Sequence, residues 1–259
     1  MPKFCANLTL MFTEVEFLDR FAAAAKAGFQ AVEYLFPYVA PAAQVAEKLN
    51  GAKLTQILHN LPAGNWAAGD RGNAVQAERV GEFQEGVGKA IEYAKALGCK
   101  QLNCLAGLTP KEVPAEKVRE TFVNNLRFAA ERLAGEGIKL LLEPINTRDI
   151  PGFYLTKTQQ ALDIIQAVGS PNLWLQYDIY HAQVMEGDLG NTIEKNLAKI
   201  AHMQLADNPG RHEPGTGEIN YDFLFKHIDK LGYKGWIGCE YKPAAQTEAG
   251  LGWVKPFLK

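Results

Sequence analysis

The sequence lacks the features that mark secreted, membrane-spanning and disulfide-rich proteins. Its four cysteines form no Cys-x-x-Cys pair, which predicts reduced, buried thiols and argues against disulfides or a cysteine zinc site. No apolar run approaches the ~18 residues needed to cross a bilayer. The first residues pass directly into a strand-like run without the apolar segment of a signal peptide. The sequence therefore predicts a cytoplasmic protein with no membrane partner.

An excess of either charge is also absent, since the 259 residues carry a net charge of −2 at pH 7. Lysines and arginines are spread along the chain without a basic block, so no nucleic-acid partner is expected. Hydrophobic residues make up 47% of the chain and charged residues 22%, which is typical of a globular protein with a sizeable core. This length is common for an α/β barrel, and we expect a single domain over residues 1–259.

Short apolar runs that indicate buried strands alternate with helical segments from start to finish. The predicted strands are 4–8, 31–35, 54–59, 100–105, 140–143, 173–178, 200–205 and 236–240. The predicted helices are 13–28, 41–49, 78–97, 114–133, 157–168, 188–199, 221–231 and 247–254. This series predicts a closed (β/α)8 TIM barrel, with its active site at the carboxyl ends of the strands. The main rival is an open doubly wound sheet. It usually has a glycine-rich turn after the first strand, where this chain reads Leu-Met-Phe-Thr-Glu.

Several of these strands end in a side chain that carries chemistry. The fifth runs through three leucines into Glu143, within Lys-Leu-Leu-Leu-Glu-Pro-Ile-Asn. The sixth and eighth end in Asp178 and Glu240, and Gln204 has the matching place in the seventh. Glu33, inside the second, is a further candidate to reach the mouth. A lone acid at the end of a buried strand is costly to desolvate and needs a partner charge or a function. We expect Glu143 and Glu240 to be the working pair of a proton-transfer centre.

The four strand-end side chains together offer three carboxylates and one amide oxygen. Oxygen ligands suit hard divalent cations such as Mg²⁺ or Mn²⁺ rather than zinc. The sequence therefore predicts a metal site without an organic cofactor, formed by Glu143, Asp178, Gln204 and Glu240. Without a cation, mutual repulsion would hold at least one of the carboxylates protonated. The alternative is that these acids only cap helices or pair with nearby lysines.

Alternation along a strand predicts which neighbours share the barrel interior. Leu141 faces inward together with the fifth-strand glutamate, whereas Leu142 packs outward against the helices. His202 faces inward as a hydrogen-bonded core residue. Gly238 faces inward as well, and we expect it to make room beneath Glu240.

Further side chains are candidates for the rim of the same mouth, each with a plainer alternative. His59 ends the third strand, either as a rim ligand or as a structural residue. Trp66, in the long glycine-rich loop 60–73, either closes the pocket or buries the underside of its own loop. His181, just beyond the sixth strand, either binds a substrate oxygen or lies on the surface. Arg211 either clamps an anionic group as a bidentate donor or is a solvated loop arginine.

Several distinctive motifs follow one another along the chain. They include Val32-Glu-Tyr-Leu-Phe-Pro-Tyr, His59-Asn-Leu-Pro-Ala-Gly-Asn-Trp, Leu142-Glu-Pro-Ile-Asn, Gln176-Tyr-Asp-Ile-Tyr-His, Ala206-Asp-Asn-Pro-Gly-Arg and Gly238-Cys-Glu-Tyr-Lys-Pro. With these motifs the chain resembles the hydroxypyruvate isomerase family, within the wider group of xylose-isomerase-like barrels. The resemblance implies a small oxo- or hydroxy-acid substrate and leaves a homo-oligomer open.

The resemblance also implies a reaction, the aldose–ketose type isomerisation of hydroxypyruvate to 2-hydroxy-3-oxopropanoate through an enediol or enediolate. It gives the acid/base roles to Glu143 and Glu240. Related sugar epimerases carry histidine where Gln204 stands, which implies weaker metal binding here. Those epimerases contact substrate at the positions of Asp149, His181 and Arg211.

Other functions remain open at this point. Closely similar sequences are 2-oxo-tetronate isomerases, and a ketose 3-epimerase could use the same barrel. A hydrolase of the endonuclease IV type would need several histidines around a zinc cluster and a basic face. The five histidines and net negative charge of this chain offer little of either. A non-catalytic sugar-acid binding protein would not need two opposed glutamates.

Overall fold

A computed structural model describes residues 1–258, which form a closed barrel of parallel strands paired in chain order. The first strand pairs with both the second and the last, and these pairings close the ring. The strands are β1 Lys3–Asn7, β2 Ala31–Glu33, β3 Thr55–Asn60, β4 Gln101–Cys104, β5 Lys139–Leu142, β6 Leu173–Asp178, β7 Ile200–Leu205 and β8 Trp236–Cys239. The predicted TIM barrel is confirmed.

The helices surround this barrel and connect successive strands. They are α1 Arg20–Lys26, α2 Ala42–Gly51, α3 Val80–Leu97, α4 Ala115–Ala134, α5 Thr158–Val168, α6 Ile179–Met185, α7 Leu189–Asn196 and α8 Tyr221–Lys230. Where a final helix was predicted, the described chain has the 3-10 segments Thr247–Trp253 and Lys255–Phe257. Within residues 1–258, no helix is both long enough and apolar enough to cross a membrane.

Helix α6 is an element that the sequence analysis missed. It begins directly after β6, because Asp178 Oδ1 accepts the backbone N–H groups of Tyr180 at 2.8 Å and His181 at 3.4 Å. A carboxylate in this position satisfies otherwise unpaired N–H groups of the first turn. An aspartate before a helix-forming run is the signal that could have revealed α6. The short helix turns His181 toward the mouth of the barrel.

Helix α1 begins at Arg20 and not at residue 13 as predicted. The preceding segment is tied to the carboxyl-terminal part of the chain. The backbone N–H of Phe12 donates to Thr247 Oγ1 at 2.8 Å, and Thr247 Oγ1 in turn donates to Glu14 at 3.1 Å. Within the predicted helix, Glu16 has the extended dihedrals φ −63° and ψ 152°. A helix cannot run through this residue, so it begins only after it.

The barrel wall separates two apolar regions. Leu141 lies in a small cluster inside the barrel with Cys5 and Leu58, against the half-buried Trp236. Leu142, its neighbour in β5, belongs instead to the large core between strands and helices. The predicted alternation along β5 is confirmed. It turns Glu143, the next residue, back toward the barrel axis.

Candidate active site

A cavity at the carboxyl ends of the strands is lined by side chains from several of them. TIM barrels place their active sites at this end. Glu143 and Glu240 both line it, as do Trp66, His181 and Arg211. The structure therefore brings together the two glutamates that the sequence singled out, along with three of the predicted rim residues.

The carboxylate of Glu240 is surrounded by N–H donors. Arg211 Nη2 donates to its Oε1 at 2.7 Å, and Gln204 Nε2 and Asn7 Nδ2 donate to its Oε2 at 2.5 and 3.3 Å. Burial raises the pKa of Glu240 to about 8, and the charge of Arg211 opposes the rise. Hydrogen bonds and positive charge favour the ionised carboxylate but do not outweigh burial, so Glu240 ionises as the pH rises through this value.

The carboxylate of Glu143 has much less support. Its hydrogen bond is with Asn103 Nδ2, which donates to Oε2 at 2.6 Å. Burial, followed by repulsion from Glu240 and Asp178, raises the pKa of Glu143 well above its ordinary value. The ionised form of Glu143 therefore has less hydrogen-bond support than that of Glu240. Two titratable groups whose surroundings differ in this way suit separate acid and base roles.

A buried carboxylate, Glu33, lies beneath the pair and orders the amides above it. It accepts hydrogen bonds from Asn7 Nδ2 at 2.9 Å, Gln204 Nε2 at 2.8 Å and His202 Nε2 at 2.6 Å. His202 is thus the hydrogen-bonded core residue that was predicted. A Cβ atom at Gly238 would overlap the carboxylate of Glu33, so the missing side chain makes room for Glu33 itself. The predicted role of Gly238, to make room beneath Glu240, is corrected accordingly.

Arg211 bridges two carboxylates at the rim of the cavity. Its Nη1 lies 2.9 Å from Asp149 Oδ2, and its Nη2 contacts Glu240. The guanidinium lies over the ring of Tyr180 at 5.0 Å from the centroid, and the Tyr180 hydroxyl donates to Asp149 Oδ1 at 3.2 Å. Arg211 is therefore held in place by charge and stacking, which excludes the solvated-loop alternative.

The loop that carries Arg211 is organised by Asp207, a residue that the sequence analysis did not single out. The buried carboxylate of Asp207 accepts backbone N–H groups from Gly215, Gly217 and Ile219 at 2.9 to 3.1 Å. Arg211 itself has a positive φ of 56°, a strained backbone conformation that persists only where surrounding bonds hold it. The sequence signal for this role of Asp207 is the Gly215-Thr-Gly run downstream, in which both glycines donate backbone N–H groups to the aspartate.

Comparison with known proteins places this barrel in a family. A family model described as xylose isomerase-like TIM barrel matches residues 21–257. The chain belongs to the xylose isomerase-like TIM barrel family. It is 55% identical to hydroxypyruvate isomerase of Escherichia coli, over 99% of this chain and 100% of that one. It is 48% identical to 2-oxo-tetronate isomerase of Cupriavidus necator, over 100% of this chain and 99% of that one.

A solved member of the same family has nearly the same backbone. The crystal structure described as AP endonuclease, family 2, from Brucella melitensis superposes with a TM-score of 0.98. That protein is 46% identical to this chain, and each chain covers 100% of the other. Agreement at this level extends over the whole xylose isomerase-like barrel and its loops.

The four predicted metal ligands lie at the carboxyl ends of β5 to β8. The nitrogen of Gln204 donates to the carboxylates of Glu33 and Glu240, and its oxygen accepts from Gln176 Nε2 at 2.6 Å. One oxygen of Glu240 is paired with Arg211. The metal site formed by Glu143, Asp178, Gln204 and Glu240 stays a prediction.

A smaller group comprises Glu143, Asp178 and His181, whose ligand atoms lie within 4.8 Å of one another. Asp178 Oδ2 is buried without a hydrogen-bond partner. His181 accepts the backbone N–H of Asn146 at Nδ1, so its neutral ring carries the hydrogen on Nε2, the atom nearest the two carboxylates. The neighbouring carboxylates and the unpartnered Asp178 Oδ2 suit a divalent cation, which would act as a Lewis acid toward the oxygens of a bound substrate.

We expect Mg²⁺ or Mn²⁺ to raise the melting temperature of the chelator-treated protein. A cation present at 100 times its Kd would add about 2.7 kcal/mol to the free energy of unfolding, a shift of several degrees for a chain of this size. Differential scanning calorimetry with and without each cation measures the shift. No saturable rise, or a rise that Asp178→Asn leaves intact, would contradict the metal site.

Of the predicted rim residues Trp66 and His59, only Trp66 lines the cavity. Trp66 lines the cavity, with its ring 5.3 Å from that of Phe36 and under the guanidinium of Arg71 at 4.3 Å. His59 does not line the cavity and is fully buried, with its ring edge-on to Tyr38. Its neighbours in β3 take the cavity-facing positions, so His59 faces the helix layer. The prediction that His59 contacts substrate is corrected to the structural alternative.

His59→Leu should make the protein more resistant to acid. Burial lowers the pKa of His59 to about 3, against 6.5 for an ordinary histidine. As the pH falls below about 6.5, the unfolded chain binds a proton that the folded chain does not bind until about pH 3, so stability is lost over that window. At about pH 4.5 the variant should have lost about 2 to 3 kcal/mol less than the parent protein. Urea unfolding at about pH 7 and about pH 4.5 measures the difference. His227→Gln on α8 is the control, and equal acid losses in His59→Leu and the parent would contradict the explanation.

Proposed function

We propose that this protein is a hydroxypyruvate isomerase that interconverts hydroxypyruvate and 2-hydroxy-3-oxopropanoate. The observation that carries the proposal is the pair Glu143 and Glu240, two carboxylates in unlike surroundings that face one small cavity. The Escherichia coli relative, 55% identical over nearly the whole chain, has this activity in its name. Two further relatives of this chain are named 2-oxo-tetronate isomerase. The protein is therefore an isomerase.

Glu240 is the base in the forward direction. Its three N–H donors and the adjacent guanidinium favour the ionised form that a base requires. It removes a proton from C3 of hydroxypyruvate, the carbon that bears the hydroxyl group. The electron pair of the broken C–H bond moves to the C2 carbonyl oxygen, which leaves an enediolate.

Glu143 is the acid in that direction, since its surroundings favour the protonated form. A proton passes from the C3 hydroxyl to the C2 oxygen, Glu143 gives its own proton to C2, and C3 becomes the aldehyde carbon. Glu240 then carries the proton taken from C3, and exchange with solvent restores both groups. Acid/base groups in position contribute about 10²–10⁴-fold in rate, so stabilisation of the enediolate must supply much of the remainder.

Arg211 anchors the substrate carboxylate. Among the residues described, it is the cationic side chain that lines the cavity, and its planar fork suits a bidentate contact with a carboxylate. A bound substrate would take over the contact that Arg211 makes with Asp149. Trp66 and Ile150 line the same cavity and limit the space for a longer substrate.

A four-carbon substrate is the second candidate, because the Cupriavidus necator relative is named 2-oxo-tetronate isomerase and is 48% identical over the full length. The same two glutamates would perform the same chemistry on it. The endonuclease named for the Brucella melitensis structure has less support in this chain. His202 pairs with Glu33 below the cavity and His59 faces the helices, so among the described residues a cluster of histidines is not assembled there.

Proton NMR in D₂O tests the proposal directly. The protein should convert hydroxypyruvate to 2-hydroxy-3-oxopropanoate with deuterium at C2, since Glu143 exchanges its proton with solvent. We expect kcat/KM for hydroxypyruvate to exceed that for 2-oxo-tetronate by about tenfold or more, the usual effect of one extra carbon centre in a confined pocket. A reversed preference would establish the four-carbon alternative. The absence of turnover with both acids would refute the proposed function.

A further inference from the structure

Asn146 is held so that its amide nitrogen points at the ring of His181. The backbone N–H of Asp149 donates to Asn146 Oδ1 at 2.8 Å. A backbone N–H can only donate, so this bond identifies the oxygen of the amide. The nitrogen of the same amide then lies 2.6 Å from His181 Nδ1.

A second donor reaches the same ring nitrogen. The backbone N–H of Asn146 points at His181 Nδ1 at 3.4 Å. A ring nitrogen that accepts two N–H groups carries no hydrogen, so the neutral imidazole has its hydrogen on Nε2. Nε2 lies on the cavity side of the ring, 4.0 Å from Glu143 Oε1 and 3.6 Å from Asp178 Oδ2.

We infer that His181 stabilises the enediolate as a neutral N–H donor at Nε2, and that Asn146 is the positioning residue that keeps the hydrogen there. The inference rests on the proposed function. Negative charge collects on the C2 oxygen of the substrate when C3 loses its proton, and a donor fixed in place stabilises that charge without reorganising. The other tautomer would present a lone pair to the same oxygen and repel it. No proton needs to leave His181 in this role.

The surroundings of His181 keep its ring neutral. Burial, and then the charge of Arg211, lower the pKa of His181 well below its ordinary value. The fixed tautomer therefore depends on which atoms face Nδ1, and both of the groups that face it belong to Asn146. Asn146 follows Glu143 by three residues in the loop after β5, so one strand end positions both the acid and the histidine.

The tautomer can be read without any substrate. Protein labelled with ¹⁵N-histidine should give a His181 ring in which Nδ1 is unprotonated and Nε2 is protonated, in a long-range ¹H–¹⁵N correlation spectrum. The signals are assigned by their loss in His181→Gln. A spectrum with the hydrogen of His181 on Nδ1 would overturn the inference, whatever the kinetics.

Asn146→Asp tests the positioning role, because it keeps the side-chain size and the bond from the Asp149 backbone. It replaces the amide N–H by a carboxylate oxygen, which draws the ring hydrogen to Nδ1. We expect kcat to fall about 100-fold with KM changed less than about threefold, comparable to the loss of one oxyanion donor. An unchanged kcat would overturn the inference.

A double-mutant cycle separates action through His181 from a general effect on the fold. Asn146→Asp should change kcat less than about threefold in the His181→Gln background, because the group through which Asn146 acts is then absent. Effects that multiply would show that Asn146 acts independently of His181 and would overturn its assigned role. Asn172→Asp is the matched control, since Asn172 lies just before β6 and its amide donates to the backbone carbonyls of Ala130 and Ile138, away from the cavity. It should lower the melting temperature while kcat and the His181 spectrum stay as they are.

The failure of this inference is distinguishable from failure of the proposed function. If the parent protein isomerises neither hydroxypyruvate nor the four-carbon acid, the proposed function fails, while the spectrum still reports the tautomer. If the parent protein is active and the tautomer or the cycle disagrees, only the roles of His181 and Asn146 are refuted.

Discussion

Glu240→Gln should lower kcat for hydroxypyruvate by about 10²–10⁴-fold or more while the barrel stays folded. Glutamine keeps the size of the side chain and can still accept the hydrogen bond from Arg211, but it cannot take a proton from C3. Glu143→Gln should cause a loss of similar size, since the amide cannot give a proton to C2. Steady-state kinetics on both variants measures the effect. Near-normal turnover in either variant would contradict the assignment of the pair.

Hydrogen exchange distinguishes the base from the acid. In D₂O, Glu143→Gln should still wash deuterium into C3 of hydroxypyruvate, because Glu240 can remove the proton and return a deuteron without completing the isomerisation. Glu240→Gln should show neither exchange nor isomerisation. The opposite pattern would mean that the two roles are exchanged. Glu112→Gln, an exposed carboxylate in the loop after β4, is the control and should keep full activity.

The Glu143→Gln variant should also stabilise the fold. The pKa of Glu143 is raised in the folded state, so its contribution to stability is fully present below the unfolded value of about 4.5 and is lost as the pH rises. At neutral pH the buried carboxyl is therefore a cost that Glu143→Gln removes, and Asn103 can still donate to the new amide oxygen. We expect the melting temperature to rise by about 2 °C or more at neutral pH, with a smaller rise in acid. A fall in melting temperature would contradict this account of the site.

What the sequence predicted correctly depends on short-range, periodic information. The alternation of apolar runs with helical segments is enough to predict a barrel, and two-residue alternation in β5 separates Leu141 from Leu142. The carboxyl ends of parallel strands necessarily meet at one rim, so the sequence predicts that Glu143 and Glu240 share a cavity. These are properties of each strand taken alone.

What the sequence could not predict depends on partners far away along the chain. The direction of the Gln204 amide is set by Glu33, 171 residues earlier. The segment before α1 is tied to Thr247, 235 residues after Phe12. The sequence does not decide whether His59 is a rim ligand or a structural residue, because the face of β3 that meets the cavity depends on the neighbouring strands. In each case a hydrogen bond or packing contact between distant residues decides the outcome.

Arg211→Met should lower kcat/KM by roughly 10²–10³-fold, the usual consequence of removing one partner from a desolvated, hydrogen-bonded charge pair. The variant loses the anchor for the substrate carboxylate, and most of the effect should be in KM. It also removes the positive charge that holds down the pKa of Glu240, which burial has raised to about 8. The pKa of Glu240 should therefore rise further, and the low-pH limb of the kcat/KM profile should move to higher pH.

Arg211→Lys separates the two effects of the guanidinium. Lysine restores a positive charge near Glu240, so the pH profile should return toward that of the parent protein. It cannot reproduce the planar fork that contacts two carboxylates at once, so KM should remain high. Arg148→Met is the control, because Arg148 lies at the same rim but donates to Asn208 and not to a carboxylate of the cavity. If Arg211→Met and Arg148→Met have the same small effect, Arg211 acts only through the packing of its loop, and the substrate carboxylate is bound elsewhere.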